Sequence, residues 1–174
     1  MYAHMLSLIF LIFQILFAVF FLYLCLAFIT GAPFVPSTNP VSKSMVQRAG
    51  IKKGMKIYDL GSGNGKLLML AAKYGATAIG YEINPFLVIT SNLRSMFSPY
   101  RRNIHTYWKN FWKADIHDAD VVFVYLLPWK MDVLEKKLVH DCRRGCIIIS
   151  NSFIFPNLNL IKKDETNHVF TFRM

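Results

Sequence analysis

The chain has 174 residues, 54% of them hydrophobic, with twenty Lys and Arg against ten Asp and Glu and a formal net charge of +10. That length is enough for one domain of ordinary size. Three cysteines do not make a disulfide framework and point to a reducing compartment; Cys142 and Cys146 have no second CxxC or HxxxH pair nearby, so they read as a helix end and a strand, and no metal site is expected.

Residues 5–29 contain no charged side chain, and Ser7 and Gln14 are their only strongly polar ones. As a helix, this stretch runs about 37 Å, enough to cross a hydrocarbon layer of about 30 Å with some tilt. Residues 1–31 are therefore expected to be a transmembrane anchor. The competing reading is a cleaved signal peptide. Against it stand the length of the apolar run, the absence of a preceding Lys or Arg and the weak cleavage site at Thr30-Gly31-Ala32. Every Lys and Arg follows the segment, so the positive-inside bias puts the rest of the chain on the cytoplasmic, or equivalent inner, side. The basic pairs Lys52-Lys53, Arg101-Arg102, Lys136-Lys137 and Arg143-Arg144 are dispersed rather than gathered into a stripe with stacking aromatics. They suit an anionic leaflet, and nucleic acid is not an expected partner.

Residues 32–50 form a lead-in. Pro33, Pro36 and Pro40 forbid a continuing helix, while Phe34 and Val35 are apolar enough to dock on the following domain. A short helix is predicted over 41–49, with Gly50 ending it. The domain proper, 51–174, then alternates. Strands are predicted over 56–60, 76–82, 103–108, 120–126, 146–150 and 169–172, and helices over 66–74, 85–96 with Asn84 as cap, and 131–141. Residues 153–161 carry no assignable pattern, and the strands beyond Ser150 are expected to be abbreviated. Such alternation defines an α/β fold with a mostly parallel sheet and helices on both faces.

The chemistry gathers at Tyr58-Asp59-Leu60-Gly61-Ser62-Gly63-Asn64-Gly65, between the first predicted strand and helix, and at Glu82, ending the next strand. Both fall at the carboxyl ends of parallel strands, where such sheets bind ligands. A phosphate-binding P-loop fails here, because the glycines are one residue too close and Leu67 follows Lys66. A dinucleotide loop is Gly-x-Gly-x-x-Gly, and Asp59 beside it would repel a pyrophosphate. S-adenosylmethionine, with a sulfonium and an ammonium and no phosphate, turns that acid into an advantage. Asp59, Gly61, Ser62, Gly63 and Gly65 are thus candidate cofactor residues, with Asp59 acting at the amino-acid end. Glu82 would bind the two ribose hydroxyls with its two oxygens, although a solvated strand-end carboxylate is the plainer alternative.

Asn110 and Phe111, after the third strand, are candidates for the adenine, with Trp112 as a second stacking ring; core packing is the alternative for these aromatics. The run from Val121 to Trp129 leads a buried strand into a proline turn. Tyr125, Pro128 and Trp129 are the candidate catalytic residues: a hydroxyl turned into the pocket, carbonyls around Leu126, Leu127 and Pro128 that orient an incoming amine, and a ring walling a channel. Here too simple packing is the alternative. The five histidines are scattered without an evident triad.

These motifs, in this order, resemble the membrane-anchored class I lysine methyltransferases of the ATP synthase c-subunit and adenine nucleotide translocase, with their prokaryotic relatives. The likeness is carried by the apolar N-terminal segment, the lead-in Ala32-Pro33-Phe34-Val35-Pro36-Ser37, the glycine loop, Gly80-Tyr81-Glu82-Ile83-Asn84-Pro85, and Leu127-Pro128 with Leu134-Glu135-Lys136-Lys137-Leu138. It implies a Rossmann-like, seven-strand class I methyltransferase fold, S-adenosyl-L-methionine as cofactor, a lysine of a membrane protein as substrate, and a lead-in that helps form the active site. Asn64 stands where an acid is common in the loop, and the turn at Tyr125-Leu126-Leu127-Pro128 departs from the mitochondrial enzymes. A lipid or isoprenoid substrate, or a non-catalytic module that binds the cofactor, are the alternative expectations.

Overall fold

The structure is a computed structural model and describes residues 2–30 and 35–174. The first part of the expected lead-in, residues 32–34, lies outside the described residues. The chain divides into two units, Met1–Phe34 and Val35–Met174.

The first unit contains helix α1 (Tyr2–Thr30), with no charged residue in its first or last turn that would cap it. Its stretch His4–Leu22 is long and apolar enough to cross a membrane.

The second unit carries α2 (Asn39–Arg48), β1 (Lys56–Leu60), α3 (Lys66–Ala72), β2 (Thr77–Glu82), α4 (Pro85–Met96), β3 (Ile104–Trp108), β4 (Val121–Val124), α5 (Met131–Asp141), β5 (Ile147–Asn151), β6 (Asn159–Asp164) and β7 (Val169–Arg173). The strands form one sheet in the order β3-β2-β1-β4-β5-β7-β6. β1 to β5 are mutually parallel, whereas β7 runs antiparallel between β5 and β6. The central strands β1 and β4 are buried along almost their whole length, as expected of Ile-, Val- and Leu-rich strands covered on both faces. One core cluster joins Ile57, Val121, Phe123 and Ile149 of the sheet to Leu68 and Ala71 of α3 and Met45 of α2.

Local chemistry accounts for the helix starts. Asn84 caps α4 by accepting a hydrogen bond from the Phe86 N–H at 2.9 Å, and Pro85 occupies the first turn, where its missing N–H costs nothing. Three differences from the sequence reading stand out. β4 stops at Val124 rather than Leu126, because its neighbour β1 ends at Leu60, paired with Val124, and Gly61 turns the chain away at φ 88°. β5 reaches Asn151, and the last two strands are full members of the sheet rather than abbreviated. β6 occupies part of the stretch left unassigned; it is an edge strand with an irregularity between Leu160 and Lys162 and no well-buried residue.

Candidate functional site

The parallel register brings Leu60, Glu82, Trp108 and Val124 to the same edge of the sheet, at the carboxyl ends of β1, β2, β3 and β4. The glycine loop leaves β1 at this edge. Gly61, Gly63 and Gly65 have φ of 88°, 54° and 75°, the left-handed region that other residues enter only with strain. The loop is drawn onto β2. The N–H groups of Gly61 and Ser62 both donate to the Tyr81 carbonyl, at 2.9 and 3.1 Å, and the Gly65 N–H donates to the Ser62 carbonyl at 2.9 Å. Close approach is permitted by Gly80, where a Cβ would stand 2.5 Å from Ser62 Oγ and 2.6 Å from Leu68 Cδ1. Ser62 Oγ is buried there without a hydrogen-bond partner.

Glu82 is fixed from both sides. Its Oε2 accepts from the Gly63 N–H and its Oε1 from the Asn84 N–H, each at 2.8 Å. An ionised carboxylate has about four acceptor positions, so each oxygen keeps one for a ligand. Asp59 is also buried, and among the described residues none donates a hydrogen bond to its carboxylate. Burial, and then the charge of Glu82, push its carboxyl up to about 7.

These features fit S-adenosylmethionine. A phosphate-binding loop aims its N–H groups at the ligand. Here the N–H groups of Gly61, Ser62, Gly63 and Gly65 are all taken up within the protein, so the loop offers space and two carboxylates rather than a cradle for an anion. A ligand with an ammonium and a vicinal diol, both donors, matches that pair of acceptors. Glu82 is thus held in place by backbone donors, unlike a strand-end carboxylate left in water.

Asn110 caps a short 3-10 turn, Phe111–Lys113, its Oδ1 accepting from the Trp112 N–H at 3.0 Å. Only the amide nitrogen is then available as a donor to a ligand. Phe111 is buried, its ring 4.8 Å from that of Trp112, so it packs within the protein as well as bordering this edge. Beyond β4, Tyr125 is half-buried, Leu126 is fully buried, and Pro128 opens the 3-10 turn Pro128–Lys130, which carries Trp129 with half its surface exposed. The Leu127 carbonyl accepts from the Lys130 N–H at 3.0 Å and closes that turn.

Three residues escaped the sequence reading. Lys66, the first residue of α3, donates from Nζ to the Ser37 carbonyl at 2.6 Å, and Asn151, the last of β5, donates from Nδ2 to Ser37 Oγ at 3.3 Å. Ser37 is thus tied both to the end of the glycine loop and to the end of β5. α2, packed on α3, β5 and β7, secures the same segment, with Ser44 Oγ donating to Asp164 at 2.6 Å. The docking of the lead-in was expected from its prolines, from Phe34 and Val35 and from the family resemblance, but its partners Lys66 and Asn151 are distant in sequence.

The sheet order, the glycine loop and the acid ending β2 define the class I, Rossmann-like fold of S-adenosylmethionine-dependent methyltransferases. The structure is similar to that of an RNA methyltransferase from Salinibacter ruber solved with S-adenosyl-L-homocysteine, at a TM-score of 0.75 and 27% identity, over 80% of this chain and 92% of that one. Residues 59–162 match the ANTKMT methyltransferase domain, and the chain belongs to that family. The human lysine N-methyltransferase of the ATP synthase c-subunit is 34% identical over 125 residues, 72% of this chain and 53% of its own length. A protein-lysine N-methyltransferase of Saccharolobus islandicus is 28% identical over 82% of this chain and 91% of its own. The chain spans about half the length of the human relative.

Proposed function

We propose that this chain methylates the side-chain amine of a lysine in a membrane-associated protein, using S-adenosylmethionine, from a domain (51–174) held at the inner face of a membrane by residues 1–31 and completed by the lead-in 32–50. The observation that carries the cofactor reading is the carboxylate pair: Asp59 buried and, among the described residues, without a hydrogen-bond donor, Glu82 held by two backbone N–H groups, and the N–H groups of Gly61, Ser62, Gly63 and Gly65 spent internally. Asp59 would take the ammonium of the amino-acid end, Glu82 the ribose hydroxyls, and Asn110 and Phe111 the base. Gly61, Ser62, Gly63 and Gly65 would let the ligand lie against backbone.

When bound, S-adenosylmethionine would supply an electrophilic methyl carbon for the amine nitrogen, with its thioether as the leaving group. The protein's part is to align the two and keep water away. An exposed lysine has a pKa of about 10.4, so the amine must lose its proton on entry, which a poorly hydrated mouth favours. Tyr125 and the turn carbonyls around Leu126 and Pro128 would orient the nitrogen, and Trp129 would wall the approach. Ser37, held by Lys66 and Asn151, closes the side facing β5.

The lysine substrate is supported by the names of the relatives, among them adenine nucleotide translocase lysine N-methyltransferase of mouse, 33% identical over 58% of this chain. The membrane setting is supported by α1. The deciding experiment is transfer of labelled methyl from S-adenosylmethionine into native membranes, comparing the intact chain with Asp59→Ala and then separating protein, lipid and RNA. Label in a protein band, lost with the variant and mapped to lysine, is the expected result. Label in lipid or RNA overturns the substrate assignment, and cofactor binding without transfer into any fraction overturns the catalytic one.

A further inference from the structure

α4 is inside out. Its buried residues are Val88, Ser91 and Ser95, whereas Phe86, Ile89, Leu93 and Met96, with Phe97 just past the end, face solvent. At 100° per residue these five fall within an arc of about 100°, the width of a helix's core-facing stripe, but on the opposite side from the protein. Phe86 and Phe97 are 77% and 86% exposed, more than chance exposure of an apolar ring would give along one helix face. The small inner residues have a local reason: Ser91 packs against Gly65, where a Cβ would come within 2.1 Å of Ser91 Oγ, and hydrogen-bonds Thr106 at 2.7 Å. Nothing of that kind explains the outer ones.

The charge around the stripe is of one sign. Between Glu82 and Asp115 the sequence has no Asp or Glu, and it carries Arg94, Arg101, Arg102, Lys109 and Lys113. Arg94 flanks the stripe, Arg101 and Arg102 follow it, and Lys109 comes directly after Trp108, which ends the adjacent edge strand β3 and is 70% exposed with its indole N–H donating to the Ile83 carbonyl at 2.9 Å. Apolar rings and aliphatic side chains on one helix face, an indole at its border and guanidinium groups around it match the chemistry of an anionic bilayer surface, with acyl chains below and phosphates above.

We propose that the outer face of α4, with Phe97 and Trp108, docks on an anionic lipid surface. The same helix touches the site: Asn84, at its cap, holds Glu82, and Arg94 reaches the Asn64 carbonyl at 3.4 Å. Docking by this face sets the carboxyl edge of the sheet beside the headgroups, within reach of an amine that emerges from the bilayer. The docking is independent of which substrate is methylated, and α1 alone would tether the domain without orienting it.

The test uses the full chain in nanodiscs containing a phosphatidylglycerol with a photoreactive acyl chain, and locates the lipid adducts by mass spectrometry. Adducts on 86–97 and around Trp108, lost in F86S/I89S/L93S while those on α1 persist, are the expected result. Replacing phosphatidylglycerol by phosphatidylcholine is expected to reduce the adducts on α4 and leave those on α1. Adducts confined to α1 overturn the docking and keep the anchor, whereas adducts on α4 but not α1 uphold the docking and remove the anchor.

Discussion

The Nζ of Lys66 donates to the carbonyl oxygen of Ser37 at 2.6 Å, so the first helical residue after the glycine loop holds the segment that precedes the domain. Asn151 holds the side chain of the same serine from the far end of β5. Ser37 therefore stands at the carboxyl edge of the sheet, between the end of the glycine loop and the end of β5.

Replacing Lys66 by Met removes that charge-assisted bond and keeps most of the side-chain volume. A hydrogen bond to a charged group contributes roughly 1.5–3 kcal/mol. The expected outcome is methyl transfer reduced on the order of tenfold, with affinity for S-adenosylmethionine almost unchanged, measured by labelled-methyl kinetics alongside calorimetric titration of the cofactor. Equal losses in both would mean that Lys66 supports the loop rather than the lead-in.

Asp59 carries a pH signature. Its carboxyl sits at about 7 in the folded protein through burial and then the Glu82 charge, against about 3.9 in an unfolded chain. Between those values the folded state keeps a proton that the unfolded state has released, so stability falls as pH rises from about 4 to about 7 and is level above. The loss from this group is roughly 4 kcal/mol. Asp59→Asn removes the titration. Denaturant unfolding of the cofactor-free protein is expected to show the variant more stable than the parent at pH 8 and similar to it at pH 4, with cofactor affinity reduced. A parent chain as stable at pH 8 as at pH 4 would contradict the burial of an uncompensated carboxyl.

Much of this was legible because the relevant signals are local. The buried runs of β1 and β4, the Asn84-Pro85 helix start and the loop with its following acid all lie within short windows, and the structure returns their order. β6 was not legible: Asn159-Leu160-Ile161-Lys162-Lys163-Asp164 has neither alternation nor a buried run, as befits an edge strand whose lysines discourage further pairing. The partnership of Ser37 with Lys66 and Asn151 was hidden for another reason, since it joins residues separated by 29 and 114 positions. The outward face of α4 was hidden as well: a helical stripe of Phe, Ile, Leu and Met reads as core until the sheet is seen to use the other side.

Gly80 tests whether the loop must lie flat on β2. A methyl group there meets Ser62 Oγ at 2.5 Å, Ser62 Cβ at 2.6 Å and Leu68 Cδ1 at 2.6 Å, so Gly80→Ala should lift the loop, cost roughly 1–3 kcal/mol and weaken cofactor binding by roughly tenfold or more. Adding Ser62→Gly clears two of those contacts and is expected to recover most of the affinity, read by thermal shift with and without cofactor. No recovery would identify Leu68, in α3, as the group that blocks the site.

Tyr125 and Trp129 separate the two ends of the reaction. Both lie past the last paired residue of β4, one half-buried and the other half-exposed, on either side of Leu126, whose burial anchors the turn. If the turn receives the protein substrate, Trp129→Ala should raise KM for that substrate several-fold with the cofactor's Kd and kcat little changed, because a wall contributes binding rather than chemistry. Tyr125→Phe removes only a hydroxyl and should lower kcat with KM nearly constant, as loss of a group that orients the nitrogen in the transition state would do. Steady-state kinetics on the labelled protein substrate, run beside cofactor titrations, distinguish these patterns. Two variants that both act through the cofactor's Kd would move this turn from the substrate side of the site to the cofactor side.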